Sequence, residues 1–136
     1  MTRNATARWK GSGKEGAGTL NAGSGIFNET PFSYVTRFEN KEGTSPEELL
    51  AAAHAGCFSM KLAFELGAAG YTPDSIETSC DVTLSGHDIT TSALKTTVSA
   101  PGLQEEAFRQ IAEKAKAECP VSQLYKCEIT LDAKLA

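Results

Sequence analysis

One segment, residues 44–70, constrains the fold of this chain more than any other. It predicts a long helix, with Ser45 as N-cap, Pro46 at the first helical position and Glu48 completing a Ser-x-x-Glu capping box. The middle of this helix, residues 51–60, has the sequence AAAHAGCFSM and is small and apolar on nearly every face. A helix that is apolar all round is normally buried all round. Because a chain of 136 residues has few elements to cover it, we expect burial against a second copy of the chain.

The remaining elements are predicted to be strands and one further long helix. Short β-branched and aromatic runs separated by glycine predict strands, and amphipathic spacing predicts helix. The predicted strands are Ala5–Lys10, a short strand around residues 19–20, residues 26–38, Ser75–Ser85, residues 89–100 and Glu128–Leu135; the predicted helices are residues 104–118 and a short turn, Pro120–Leu124. Pro31 indicates a bulge or a sheet edge, and Gly86-His87-Asp88 a hairpin turn. This order predicts one α+β domain over residues 1–136, with mostly antiparallel sheets packed on a long buried central helix and a second helix.

Composition and charge narrow the classes of partner. Charged residues make up 22% of the chain and the net charge is −4, so there is no basic footprint for nucleic acid or an anionic membrane surface. A helix that spans a bilayer needs about 20 apolar residues, and we expect no segment of this length and composition. Residues 1–10 also lack the apolar stretch of a secretory signal. The sequence therefore predicts a cytoplasmic protein with no nucleic-acid or membrane partner, whose cysteines are reduced at rest.

Cys57 is the first candidate for chemistry, although a free cysteine among alanines is more often a small buried hydrophobe. A reactive thiol needs a cation or a helix N-terminus to hold its thiolate. Cys57 lies in the middle of the predicted helix, so it needs a cation, and Lys61 at i+4 and Arg37 before the helix are available. His54 lies at i−3 on roughly the same face, and a Cys–His pair could serve a hydrolase or transferase. Without an evident orienting partner, His54 is more simply explained as a core residue.

Cys119 is an equally strong local candidate. If Pro120 opens a short helix, Cys119 is its N-cap and its sulfur faces free backbone N–H groups, which lower a thiol pKa. Cys80 and Cys127 lie in or beside predicted strands and are expected to be core or sheet-face residues. No CxxC pair or finger-like spacing occurs, so a structural zinc site is not expected. Glu47 is not needed for the capping box and is free for another role.

Four motifs stand out in the sequence: TRFE (residues 36–39), GTSPEEL (43–49), AAHAGCFSM (52–60) and CPVS (119–122). Taken together they resemble the OsmC/Ohr family of peroxide-reducing proteins, more closely its OsmC branch, and the resemblance covers nearly the whole chain. It implies the family's α+β fold and intertwined homodimer. It also implies a thiol-dependent peroxidase for oxidative or osmotic stress defence, reducing organic hydroperoxides and hydrogen peroxide less well. No metal, haem or flavin is implied.

The same resemblance implies residue roles. Cys57 matches the peroxidatic cysteine, which becomes a sulfenic acid, and Cys119 matches the resolving cysteine, which forms a disulfide with it. Arg37 matches the arginine that holds the thiolate, and Glu47 the carboxylate that orients this arginine. A small-molecule or protein dithiol would regenerate the enzyme. Cys80 and Cys127 match no family role.

The separation of Glu47 and Cys57 predicts how the site is shared. They are ten residues apart on one helix, about 15 Å along its axis, and cannot meet within it. We therefore expect homodimeric sites with Cys57 and Cys119 from one chain and Arg37 and Glu47 from the other. Two alternatives remain: a hydrolase or transferase that uses Cys57 and His54, and a non-catalytic thiol sensor or binding module.

Overall fold

The computed structural model describes residues 1–39 and 41–136. The chain forms two compact units, residues 1–49 and 50–136. The elements in chain order are β1 (Ala5–Lys10), β2 (Ala17–Ala22), β3 (Thr30–Ser33), α1 (Tyr34–Phe38), α2 (Pro46–Ala68), β4 (Ser75–Ser85), β5 (Asp88–Ser99), α3 (Glu105–Glu118), α4 (Pro120–Leu124) and β6 (Glu128–Leu135). The predicted α+β class is confirmed. That residues 1–136 act as one domain stays a prediction.

The first unit is built on a three-stranded antiparallel sheet in the order β1-β2-β3. Gly18 lies opposite Trp9 in the register, and a Cβ at Gly18 would come within 2.6 Å of the Phe32 ring, so only glycine fits there. Pro31 lies on the edge strand β3, as its missing N–H predicts.

The prediction of one strand over residues 26–38 was wrong, because helix α1 begins directly after Ser33. The Ser33 hydroxyl accepts from the Thr36 N–H at 3.3 Å, and the Ser33 N–H donates to the Thr36 hydroxyl at 2.8 Å. This reciprocal pair is a capping box. It nucleates a short helix in a stretch whose aromatic residues favour a strand, and it places Arg37 on that helix rather than at a strand end.

Helix α2 begins and ends close to its predicted limits. The Ser45 hydroxyl accepts from the Glu48 N–H at 3.2 Å, while the Glu48 carboxylate accepts from the Thr44 hydroxyl, one residue before the predicted box position. At the other end the Tyr71 N–H donates to the Leu66 carbonyl at 2.9 Å, and Gly70 has a φ of 89°. That pattern is a glycine C-cap.

Within residues 1–39 and 41–136, only one face of α2 is buried, so the expectation of burial all round is not met by one copy. His54, Phe58, Leu62 and Leu66 recur every four residues and are fully buried. On another face Met60 and Phe64 are 65% and 70% exposed. The reason is that α2 carries apolar residues on several faces. The sheet and the helix α3 that follow it in the chain cover only the face with the four buried residues.

Helix α2 also passes the length and composition test for a membrane-crossing helix, so the expectation that no segment reaches this limit was wrong. A core helix of a soluble protein passes the same test. Lys61 and Glu65 form an ion pair in its second half.

The second unit contains α2 from Leu50 onward and a three-stranded sheet in the order β4-β5-β6. Strands β4 and β5 form the predicted hairpin, with Gly86 at φ 62° in its turn. Strand β6, however, pairs with β5 in parallel, so this sheet is mixed. Helices α3 and α4 carry the chain back across the sheet before β6 begins, and such a crossover brings the next strand in parallel. The core lies between this sheet, α2 and α3, with Phe58, Leu94 and Phe108 among its buried members.

Candidate active site

Two cysteines that are distant in sequence meet within the second unit. Cys57 lies on α2, Cys119 lies between α3 and α4, and their Sγ atoms are 3.0 Å apart. Both are free thiols. Cys119 is fully buried and Cys57 is half-buried. Because a disulfide needs sulfurs about 2.05 Å apart, a shift of about 1 Å would join them. The arrangement can therefore close to a disulfide with little movement of the chain.

A backbone N–H at the start of α4 acts on the Cys57 thiol, whereas the Cys119 side chain does not cap this helix. Cys119 occupies the N-cap position, as the sequence predicts, but its side chain makes no capping hydrogen bond. Instead the backbone N–H of Val121, in the first turn of α4, acts on the Cys57 thiol and lowers its pKa. The expectation that the helix start faces the Cys119 sulfur was therefore wrong. The Cys119 side chain is turned into the core, which leaves the N–H groups to its neighbour.

The surroundings of Cys57 oppose ionisation overall. Burial raises the pKa of Cys57 above its ordinary value, and the adjacent Cys119 raises this pKa further, since two thiolates cannot share the site. The Val121 N–H acts in the opposite direction and is outweighed. Within residues 50–136, the groups that set this pKa include no cation. A nucleophilic Cys57 therefore needs a positive charge from elsewhere.

Lys61, one turn beyond Cys57, is held by other groups. Its ammonium pairs with Glu65 at 2.6 Å and with Glu118 at 2.9 Å. These carboxylates raise the pKa of Lys61 to about 12. Lys61 therefore ties α2 to the end of α3, and the alternative that it is the cation for Cys57 loses its support.

Arg37 and Glu47 meet within the first unit. The Arg37 Nε donates to both carboxylate oxygens of Glu47 at 3.1 Å, and Nη2 adds a further bond. The hydrogen bonds from Arg37 lower the pKa of Glu47, and those to Glu47 raise the pKa of Arg37. This two-pronged pair fixes the plane of the guanidinium and leaves its side chain 36% exposed.

A small aromatic pocket of about 120 Å³ adjoins Arg37. Its walls include the rings of Trp9, Phe32, Tyr34 and Phe38. The first unit thus offers an oriented cation beside an apolar recess.

Among the residues that the structure describes, the hydrogen-bond partners of the His54 ring do not include Cys57. Its Nδ1 lies 2.6 Å from the Ser92 hydroxyl and its Nε2 lies 2.8 Å from the Ser122 hydroxyl. The imidazole is fully buried, and burial lowers the pKa of His54. The geometry does not support a Cys57–His54 dyad, because both ring nitrogens are engaged by serines. No local sequence pattern predicts this network, and its one signal in the sequence is the serine of the CPVS motif.

Cys80 and Cys127 have the surroundings expected of structural thiols. The Cys80 sulfur lies 3.2 Å from the Ser92 hydroxyl on the core side of β4, and burial raises the pKa of Cys80. Cys127 is half-buried directly before β6.

Comparisons with known proteins identify the family of this chain. Residues 39–134 match the family model described as OsmC-like protein. The chain is 52% identical over 133 residues to the protein named Peroxiredoxin OsmC in Escherichia coli strain K12, covering 95% of this chain and 93% of that protein. The protein of the same name in Shigella flexneri matches equally.

Solved structures show the same fold at low identity. An OsmC-like protein from Mycoplasma pneumoniae superposes with a TM-score of 0.79 at 12% identity, covering 100% of this chain and 98% of that one. The organic hydroperoxide resistance protein OhrB of Bacillus subtilis gives 0.69 at 21% identity, with 100% and 98% coverage. With its two adjacent free thiols and its likeness to proteins named peroxiredoxin, the chain belongs to the OsmC family and is a thiol-dependent peroxidase.

Proposed function

We propose that the protein reduces organic hydroperoxides, and hydrogen peroxide less well, with Cys57 as peroxidatic and Cys119 as resolving cysteine. The observation that carries this proposal is the 3.0 Å separation of the two sulfurs, with the half-buried Cys57 the more accessible. A peroxide from solvent can reach the half-buried Cys57 sulfur, whereas the Cys119 sulfur beside it is buried in the core. The free thiols of the resting chain fit a reducing compartment, and we propose the cytoplasm.

The proposed catalytic cycle has three steps. The Cys57 thiolate attacks the outer peroxide oxygen; the O–O bond breaks, Cys57 becomes a sulfenic acid, and the alkoxide leaves and takes up a proton as the alcohol. The Cys119 sulfur then attacks the sulfenic sulfur, a disulfide forms, and water leaves. A small-molecule or protein dithiol next reduces this disulfide by thiol–disulfide exchange and is itself oxidised to a disulfide.

Arg37 and Glu47 complete the site in this proposal. A guanidinium stays charged at any relevant pH and can pair the thiolate and then the leaving alkoxide. Glu47 holds that guanidinium in one orientation by accepting hydrogen bonds from its Nε at both carboxylate oxygens. The aromatic pocket beside Arg37 can hold the organic group of a hydroperoxide. Hydrogen peroxide has no organic group to place there.

The proposed homodimer supplies Arg37 and Glu47 from a second copy. The thiol pKa of Cys57 is raised by its own unit, so it needs an external cation. The exposed Met60 and Phe64 give α2 an apolar face that a second copy would cover.

The redox assignment is tested by the intact mass of reduced protein after one equivalent of cumene hydroperoxide without reductant. We expect loss of two hydrogens, with peptide mapping locating a Cys57–Cys119 bridge. Cys80→Ser is the matched control, and it should behave as the wild type. An unchanged mass would reject the peroxidase assignment of these cysteines, and added oxygen on Cys57 without a bridge would reject the resolving role.

The shared site is tested by mixing two inactive variants under conditions that exchange subunits. Cys57→Ser mixed with Arg37→Gln should recover about a quarter of wild-type activity, because half of the reassorted dimers carry one intact site. Cys57→Ser mixed with Cys119→Ser is the control and should stay inactive, since those residues come from one chain. The arrangement would be overturned if the first pair recovered no activity after subunit exchange, or if the control pair did recover activity.

A further inference from the structure

His54 is a fully buried titratable group that the proposed redox steps do not use. Ser92, on β5, engages its Nδ1 at 2.6 Å and fixes the ring from the sheet side. Its Nε2 faces the opposite way and lies 2.8 Å from the hydroxyl of Ser122 on α4. Burying a polar side chain costs free energy of folding, and its hydrogen bonds offset that cost only when they are made. An apolar residue would fill the same space without this cost, so packing alone does not explain a histidine here. Both bonds of His54 therefore call for an explanation.

The contacts of α4 with α2 follow a regular spacing. Leu50, His54 and Cys57 are four and three residues apart and thus lie on one face of α2 over successive turns. The Tyr125 hydroxyl donates to the Leu50 carbonyl oxygen at 2.8 Å, and the Tyr125 ring meets the His54 ring edge-on with centroids 5.2 Å apart. Ser122 meets His54 in the next turn. Helix α4 is therefore fastened to α2 beside the redox pair.

Helix α4 depends on such contacts for its position. It has five residues, far fewer than a helix needs for stability on its own in water. Cys119, whose sulfur lies 3.0 Å from the Cys57 sulfur, nevertheless directly precedes it, and its first turn carries the Val121 N–H that lowers the pKa of Cys57. Any loosening of α4 moves both groups away from Cys57.

We propose that His54 is a positioning residue for disulfide formation. Through Ser122 it holds α4 so that the Cys119 sulfur and the Val121 N–H stay against Cys57, with Tyr125 fastening the far end. This inference deepens the proposed function, because it concerns the resolving step of that same site. It assigns no proton transfer to His54, and its bonds to Ser92 and Ser122 serve to orient the ring.

The test uses single-hydroxyl deletions in the full-length protein. Ser122→Ala and Tyr125→Phe each remove one bond between α4 and α2. Ser59→Ala is the matched control, because the Ser59 hydroxyl also bridges α2 to another element, at 2.8 Å to Thr78 on β4, but has no link to α4. The reduced proteins are mixed with diamide, a thiol oxidant that acts without peroxide. Quenched samples then give the rate of Cys57–Cys119 bridge formation.

We expect bridge formation to slow about fivefold to tenfold in Ser122→Ala and Tyr125→Phe, and to stay within about twofold of wild type in Ser59→Ala. His54→Gln, which keeps an N–H in reach of Ser122, should close faster than His54→Leu. Equal slowing in all three deletions, or none in the first two, would overturn the positioning role. If the wild type closes its bridge with diamide but not with cumene hydroperoxide, the proposed function fails while the positioning role stands.

Discussion

Replacing Arg37 by Gln should change the pH dependence of Cys57 reactivity, and not merely its maximum. In the proposed site, the guanidinium is the cation that ionises the thiol. The other groups that act on Cys57 within residues 50–136 raise its pKa overall. Removing Arg37 should therefore return the thiol to a pKa above its ordinary value.

The size of the effect follows from the ionised fraction. The ordinary pKa of a cysteine thiol is 9.0, and such a thiol is about 1% ionised at pH 7. Because burial and Cys119 raise the pKa further, Arg37→Gln should leave less than about 1% thiolate at pH 7. If the wild-type thiol is mostly ionised there, the variant reacts about 100-fold more slowly or worse. Its rate should then rise about tenfold for each pH unit up to pH 9.

The assay is the rate of Cys57 alkylation by iodoacetamide between pH 5 and 10, followed by peptide mapping, in parallel with consumption of cumene hydroperoxide. Lys61→Gln is the matched control. It removes the cation nearest to Cys57 along α2, one that is paired with Glu65 and Glu118, and it should leave the profile unchanged.

A different shape of profile would refute this reasoning. If Arg37→Gln lowers the plateau but keeps the wild-type midpoint, Arg37 acts on the leaving group or on substrate binding and does not ionise Cys57. If Lys61→Gln shifts the midpoint instead, the cation lies on α2 itself.

Two further outcomes follow from burial. Cys119 is fully buried and Cys57 is not, so a thiol reductant should attack the Cys57 sulfur of the disulfide and release Cys119; an acid-quenched adduct of 2-mercaptoethanol mapped to Cys119 would contradict this. Burial lowers the pKa of His54 below its ordinary 6.5, so the unfolded chain binds the extra proton and stability should fall as pH drops below about 6.5. Urea midpoints at pH 7.5 and 5.5 should show a larger loss for the wild type than for His54→Gln, and equal losses would remove His54 as the cause.

Local patterns in the sequence determined most elements of this protein. Ser45 and Pro46 mark the start of α2, and alternation marks β4 and β6, because capping and burial patterns act within a few residues of each other. The motifs around Cys57 and Cys119 likewise indicated the two cysteines that the fold brings together, and their redox roles stay a prediction. The strand predicted through Tyr34 failed where a local capping box at Ser33 competed with the aromatic strand signal.

Only the tertiary structure decided how these elements meet. The parallel pairing of β6 depends on the path of α3 and α4 across the sheet, and no local pattern carries that direction. The Val121 N–H acts on the Cys57 thiol, and α4 and the residue after it contact α2 through Ser122–His54 and Tyr125–Leu50, pairs of residues up to 75 positions apart. The packing of α4 against α2 decides which thiol the first N–H groups of α4 act on. That packing exists only in the folded chain.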